Sequence, residues 1–594
     1  MLKPFLLSST ATAALLAGFL LLNSESRQAF SAASSHAKAV PATPPPMGWS
    51  SWNSFSNTIN SDIVVQQTNA MVSSGMNNVG YQYINIDEGW WLGQRDANGS
   101  IVVDAKQWPA LQPGERAGDM SNIVRFIHAA GLKAGIYTDA GESGCSFYGP
   151  DLGPPMPHTG SEGHYDQDFL QFAQWGFDYV KVDWCGGDHE NLDPAVQYAA
   201  IAGAIRRAEK LTGHRLYFSI CDWGNKSPWA WAPGIGGIEA DIWRTSGDIV
   251  EPIVASAPPN DRHATMKAVL DNFDRAIHPA AQHTGFYNDP DMMMVGMRGL
   301  SDVENRLHMS LWAISGAPLI VGTDLTKLTK TTREILTNPD VIAVDQDSLG
   351  VQAIKVAEPQ PGLQVWARPL GTPGAHAVLL LNRTSAPAQI TASWTVIGLD
   401  PSSPASVRDL WTAKDLGNFS SAFTTTVPAG DAVFVVVHGT DAKPTRYEAV
   451  SAVNKLGRRA KPETCRQCNR RHAMTVGGGK SLTFKIPPLT KPTFVQIDYV
   501  NPANTPLTAQ LKVDGQVPTL VLFPPTGGAD EVGAVTVEVE SNPTVSQSEL
   551  TFSYEGAPGG ESRGYDTNHD TRQAAVETFP LHVTEILVSA AGLE

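Results

Sequence analysis

The sequence predicts an α/β chain: a (β/α)8 TIM barrel, then an antiparallel β-sandwich, then a second C-terminal β-sandwich. Three observations carry this reading. Across residues 40–346, short β-like runs alternate with helical stretches. Eight such runs over about 300 residues match the strand count and size of a barrel. From residue 350 the helices stop, and short strands divided by Pro and Gly take over.

The elements follow in order. Residues 1–39 read as a secretory signal peptide, with Lys3 ahead of an apolar core at 11–22 and an A-x-A site at Ala37-Lys38-Ala39. The apolar core is too short for a span of about 20 residues, so a retained anchor is the lesser reading. "PPMGWSSW" (45–52) supplies the first barrel strand. "YQYINID", "LKAGIYTD", "DYVKVDW", "RLYFSIC", "ADIWRTS", "GFYND" and "PLIVG" supply the other seven. One intervening helix starts with Asp193 as N-cap and Pro194 at its first position, and ends at Gly213. A doubly wound open sheet is the alternative, but no G-x-G-x-x-G turn follows an early strand. Residues 350–439 form the first sandwich, from "LQVWARPL", "HAVLLLNRT", "ASVRDLWT" and "DAVFVVVHG". "TDAKPTR" (440–446) reads as a linker, and 447–594 as the second sandwich, interrupted by the polar insert "GAPGGESRGYDTNHDTRQ".

Composition narrows the function. At 42% hydrophobic and 17% charged, the 594 residues are globular, and a net charge of −16 disfavours nucleic acid and anionic membranes as partners. No later segment has the look of a transmembrane span. The odd count of five cysteines leaves at least one unpaired within the chain. Cys465 and Cys468 form a single C-x-x-C without a second pair at zinc spacing.

"DYVKVDWCGG" (178–187) is the segment that raises the question of chemistry. Alternation puts Lys181, Asp183 and Cys185 on one face of a strand. By itself this reads as a surface edge with a chance ion pair. Other strand ends repeat the pattern, with Asp87-Glu88, Asp139, Asp222, Asp248, Asp289 and Asp291. Barrel active sites sit at the C-terminal strand ends, so a common mouth lined by acids points to carboxylate chemistry. A hard-metal hydrolase would add histidines, and no H-x-H or H-E-x-x-H lies near a strand end. A glycosidase needs two carboxylates and an aromatic wall, which "GWSSW", "EGWW" and "DWG" offer. Trp49 and Trp312 are expected in the core instead.

"PPMGWSSWNSF", "INIDEGWW", "GIYTDAG", "YVKVDWC", "WRTSGDI", "NDPDM" and "LWAISGAPLIVGTDL" closely resemble glycoside hydrolase family 27, the family of the α-galactosidases. The resemblance runs over residues 45–440 and implies a retaining exo-glycosidase. It implies Asp183 as nucleophile and Asp248 as general acid/base. Trp52, Asp87, Tyr137, Lys181, Asp222 and Arg244 match sugar contacts, and Lys181 would help keep Asp183 ionised. It also implies a Cys145–Cys185 disulfide and leaves Cys221 unpaired. No cofactor or catalytic metal is expected. The expected partner is an oligo- or polysaccharide with terminal galactose or arabinopyranose, met outside the cytoplasm, in the periplasm or beyond it. Two departures stand out. Glu88 replaces a family Asp, and its extra methylene would crowd the galactose hydroxymethyl group. The alternative is therefore a β-L-arabinopyranosidase, with a catalytically silent carbohydrate-binding protein as a third reading. Asp222 replaces a Glu found in some members, which alters the 2-hydroxyl contact. The last domain resembles family 35 carbohydrate-binding modules. Glu448 matches their calcium-site Glu, but "HVTEILVS" lacks the matching aspartate, which leaves calcium open.

Overall fold

The computed structural model describes residues 37–39, 43–148, 156–232, 240–250, 263–451 and, with short gaps, 453–553 and 581–588. The body of the expected signal peptide, the Cys465–Cys468 pair and the Gly-rich insert lie outside these residues.

Eight strands form one parallel sheet: β1 (Met47–Ser50), β2 (Tyr83–Asn85), β3 (Lys133–Asp139), β4 (Tyr179–Asp183), β5 (Tyr217–Cys221), β6 (Ile242–Arg244), β7 (Tyr287–Asp289) and β8 (Leu319–Val321). They run β7-β6-β5-β4-β3-β2-β1-β8. The sheet closes where Met293, just past β7, bridges to Val321 of β8 in parallel. This is the barrel the sequence predicts. Several strands are shorter than the runs suggest, and β3, β4, β6 and β7 end on the polar residues Asp139, Asp183, Arg244 and Asp289.

In β4, Val180 and Val182 are fully buried. Tyr179 instead joins Tyr83, Tyr217, Ile242 and Tyr287 in a separate cluster. Tyr179 and Tyr217 stack with centroids 5.6 Å apart and planes 8° apart. These rings plug the lower half of the barrel, so the polar chemistry is confined to the upper half. The helix Pro194–Thr212 starts and stops as its sequence indicates. The Asp193 side chain accepts from the N–H groups of Ala195 and Val196, and Gly213 turns left-handed at φ 71°. Trp49 and Trp312 are buried, and their indole N–H groups donate to the carbonyls of Thr323 and Asp291.

The middle domain is a six-stranded antiparallel sheet accompanied by a two-stranded antiparallel sheet of Ala388–Ser393 and Ala422–Val427. The expected linker is tied down rather than free. Asp441 accepts from the Gly374 N–H and bonds His376, while Thr445–Glu448 pairs as a strand with Leu581–Val588. The C-terminal domain packs two sheets around one core. Ala37–Ala39, the expected cleavage site, pairs in parallel with Val532–Ala534 of this domain.

Candidate active site

The first polar layer above the tyrosine floor is built around two cations. Lys181 lies one residue pair above Tyr179 in β4. Its Nζ is 3.0 Å from Asp87 Oδ2, 3.2 Å from Asp87 Oδ1 and 3.5 Å from Asp183 Oδ2. Asp87 is fixed in turn by the hydroxyl of Ser50, which donates to its Oδ2, while its N–H donates to Ser51 Oγ. Lys181 therefore clamps Asp87 first and Asp183 second. Burial would push an ammonium down, but Asp87 and further acids hold Lys181 well above its usual range.

Asp183 is 4% exposed, and its Oδ1 accepts from the Trp184 N–H at 3.0 Å. Its carboxyl lies above its ordinary value. Burial is the largest cause, Lys181 opposes it, and the charge of Asp248 adds to the rise. The expectation that Lys181 keeps Asp183 ionised is thus met only in direction; in this state burial outweighs it.

Arg244 is the second cation. Its Nη1 lies 3.1 Å from Asp291, and its Nη2 donates to Asp248 Oδ1 at 3.2 Å and to the Ser246 carbonyl at 2.9 Å. Arg244 is 4% exposed on its side chain, while Asp248 is 30% exposed. Asp291 adopts φ 100°, outside the usual range for a side-chain-bearing residue. In that conformation Oδ1 accepts from its neighbour Met292 N–H and Oδ2 from Ile249 N–H. Asp291 therefore anchors the backbone next to Asp248 as well as its arginine. Burial and neighbouring acids push it up to about 7, against the pull of Arg244. The motif "NDPDM" marks this residue, but only the fold reveals that role.

The remaining predicted residues converge on the same mouth. Tyr137 lies under Lys181, 5.2 Å from ring centroid to Nζ. Trp52 packs with Met292 and Ile320. Asp222 is fully buried, with Oδ1 accepting from Gly224 N–H and Oδ2 lacking a partner among the described residues. Cys145 and Cys185 are disulfide-bonded, joining the loop after β3 to the turn after β4. Cys221 is free and buried, 3.6 Å from Arg244 Nη1.

Glu88 is the exception. Both its oxygens accept from the Ser146 N–H at 3.0 Å, and it is 2% exposed. Gly144 leaves room for it, since a Cβ there would meet Oε1 at 2.3 Å. The sequence placed this carboxylate against the sugar's hydroxymethyl group; the structure turns it onto the backbone behind the disulfide. Asp139, which the sequence reading noted but gave no role, is also fully buried here. Its Oδ1 accepts from the N–H groups of Gly141 and Gly186, so it braces the same loop.

A family model described as alpha galactosidase A matches residues 43–347. The model of the alpha-galactosidase C-terminal β-sandwich domain matches 360–437. A third, described as the alpha-galactosidase CBM13 domain, matches 490–559, where the sequence alone pointed to family 35 modules. Alpha-galactosidase 2 of Arabidopsis thaliana is 41% identical over 370 residues, covering 62% of this chain and 83% of the plant protein. The solved structure of alpha-galactosidase I from Mortierella vinacea aligns with a TM-score of 0.57 at 30% identity, over 68% of this chain and 99% of that one. A β-L-arabinopyranosidase from Geobacillus stearothermophilus aligns at 0.56 and 21% identity, over 67% of this chain and 97% of that one, a likeness of fold.

Proposed function

The chain belongs to the alpha galactosidase A family, and from that premise we propose that it is a retaining exo-glycosidase removing terminal α-D-galactosyl residues by double displacement. The observation that carries this reading is the asymmetry of two acids within one mouth. Asp183 is buried and fixed beside Lys181, whereas Asp248 is partly solvated on Arg244. A nucleophile needs a fixed approach, and an acid/base that must exchange protons with water needs solvent.

In the first step a carboxylate oxygen of Asp183 attacks the anomeric carbon. The glycosidic C–O bond breaks, and its electron pair takes the proton of Asp248. In the second step the Asp248 carboxylate removes a proton from water. The resulting hydroxide attacks the same carbon and Asp183 leaves, so two inversions give retention. Asp87, held between Lys181 and Ser50, offers acceptors to sugar hydroxyls. Trp52 and Tyr137 supply the aromatic wall, and Asp222 and Arg244 further polar contacts. Two carboxylates complete the chemical roles, so the reading calls for no metal or cofactor.

The β-L-arabinopyranosidase alternative rested on Glu88 crowding the hydroxymethyl site. With that carboxylate bonded to Ser146, galactose is the preferred substrate. We also infer export, with residues 1–39 as the leader; among the described residues no helix is long and apolar enough to cross a membrane. Asp183→Ala tests the catalytic assignment. It should lower kcat on an aryl α-galactoside by several orders of magnitude, and substantial turnover in that variant would sink the nucleophile role.

A further inference from the structure

The C-terminal domain is docked on the flank of the barrel. Leu520 and Leu522 join the barrel's own hydrophobic core, and Leu522 Cδ2 lies 3.3 Å from the place where a Cβ on Gly285 would sit. Beside this contact the two surfaces separate around a cavity of about 420 Å³. Ligand sites run from roughly 300 to 1,000 Å³. The cavity shares no lining residue with the recess at the bottom of the barrel mouth.

Its lining is chemically unusual. Trp229 and His278 of the barrel form a parallel stack, with centroids 3.6 Å apart and planes 9° apart. Facing them are Gln516, Val517, Glu538 and Glu540 of the C-terminal domain. Glu538 is 2% exposed, yet neither of its oxygens has a hydrogen-bond partner among the described residues. The same holds for Nε2 of His278. A buried carboxyl with both oxygens orphaned is costly and wants a ligand. Among the described residues no lysine or arginine lines the cavity to compensate it.

We propose that this cavity is a second carbohydrate site, which takes a neutral mono- or disaccharide whose hydroxyls satisfy Glu538 and His278 while a ring face lies on Trp229. Three orphaned polar atoms beside an aromatic platform match a sugar's alternating hydroxyls and flat C–H face. Burial, reinforced by Glu540, favours the uncharged acid at Glu538, which both donates and accepts. His278 is held down to about 4 by burial, so its ring is neutral too. A neutral polyol suits this pair better than a cation. The choice of galactose as first probe rests on the function proposed above.

The test uses the full chain as Asp183→Asn, to prevent turnover, with the barrel mouth saturated by a galactose-mimicking iminosugar. Titration with D-galactose and then D-mannose should show one remaining sugar site. Val517→Arg, at an exposed position on the rim, should abolish it. Glu538→Leu should weaken it by about tenfold or more, while removing a buried acid and so raising Tm. In the active chain, both variants should leave kcat/KM on an aryl α-galactoside within about twofold of wild type, which separates this site from the catalytic one. The proposal is overturned if neither sugar binds once the mouth is blocked. It is equally overturned if the two variants leave binding unchanged, or if ethanolamine binds in place of sugar. Loss of aryl galactoside hydrolysis in the wild-type chain would instead count against the catalytic reading.

Discussion

Replacing Glu88 by Gln should stabilise the protein at neutral and alkaline pH while leaving its acid-side stability nearly unchanged. Burial lifts this carboxyl from an ordinary value of 4.5 to about 8, against the pull of the Ser146 N–H. Between pH 4.5 and 8 the folded chain therefore holds a proton there that the unfolded chain has lost. Stability falls as pH rises wherever the folded state binds more protons. The gap, 8 minus 4.5, at 1.36 kcal/mol for each pH unit amounts to about 5 kcal/mol. The side chain is 2% exposed, so solvent screens little of this. Glutamine keeps the shape and an oxygen for Ser146 but cannot ionise. Urea melts of both proteins at pH 5, 6.5 and 8 would measure the effect. Buried acids remote from this loop affect both proteins alike, so the difference reports Glu88 together with the part of the rise at Asp139 that its charge causes. The variant should match wild type within about 1 kcal/mol at pH 5 and exceed it by several at pH 8. Parallel pH dependences would show that Glu88 is not a buried acid held on Ser146.

Glu88→Asp bears on specificity. A methylene of crowding is typically worth about 10- to 200-fold in discrimination, and the sequence alone predicts such a shift toward galactose. With the carboxylate on Ser146, the ratio of kcat/KM for aryl α-D-galactoside and aryl β-L-arabinopyranoside should instead stay within about twofold of wild type. A tenfold shift would put Glu88 back against the sugar. A chelator should leave hydrolysis unchanged; activity lost in chelator and restored by a divalent ion would contradict a two-carboxylate mechanism. The Cys145–Cys185 bridge closes a loop with a sequence separation of 40. In the chain-entropy model Cys145→Ser/Cys185→Ser should cost about 4 kcal/mol, read as a lower Tm and urea midpoint. An unchanged midpoint would mean that the bridge adds nothing to stability.

Much of this was legible in the sequence. The period change at residue 350, the eight apolar runs and the caps at Asp193 and Gly213 are local signals, and the fold follows them. The mouth was legible because strand ends in a barrel converge, so Asp87, Asp183, Asp222 and Arg244 needed only their positions along strands. What the sequence hides is which side chains meet. Lys181 has two carboxylates within reach, and only the tertiary geometry gives Asp87 the closer contact. Glu88 has the length to face a sugar, but its direction is set by a backbone N–H 58 residues away. The φ of 100° at Asp291 is imposed by contacts to Ile249 and Arg244, distant in sequence. Thr445 and Arg446, the first half of the strand Thr445–Glu448, looked like linker because the partner strand, Leu581–Val588, lies at the far end of the chain.

The seam between barrel and C-terminal domain also bears on how the chain is made. Gly285 and the Leu522 that covers it are 237 residues apart, 522 minus 285. At about 5–20 residues per second, synthesis reaches Leu522 some tens of seconds after Gly285. Throughout that interval the barrel flank is an uncovered apolar surface on a chain still emerging. Neighbouring ribosomes on one message carry identical patches at short range, where they can adhere to one another before their own covers arrive. The C-terminal domain is thus also the barrel's late-arriving shield, and a message cut short before residue 520 yields a barrel that folds with its sticky side out.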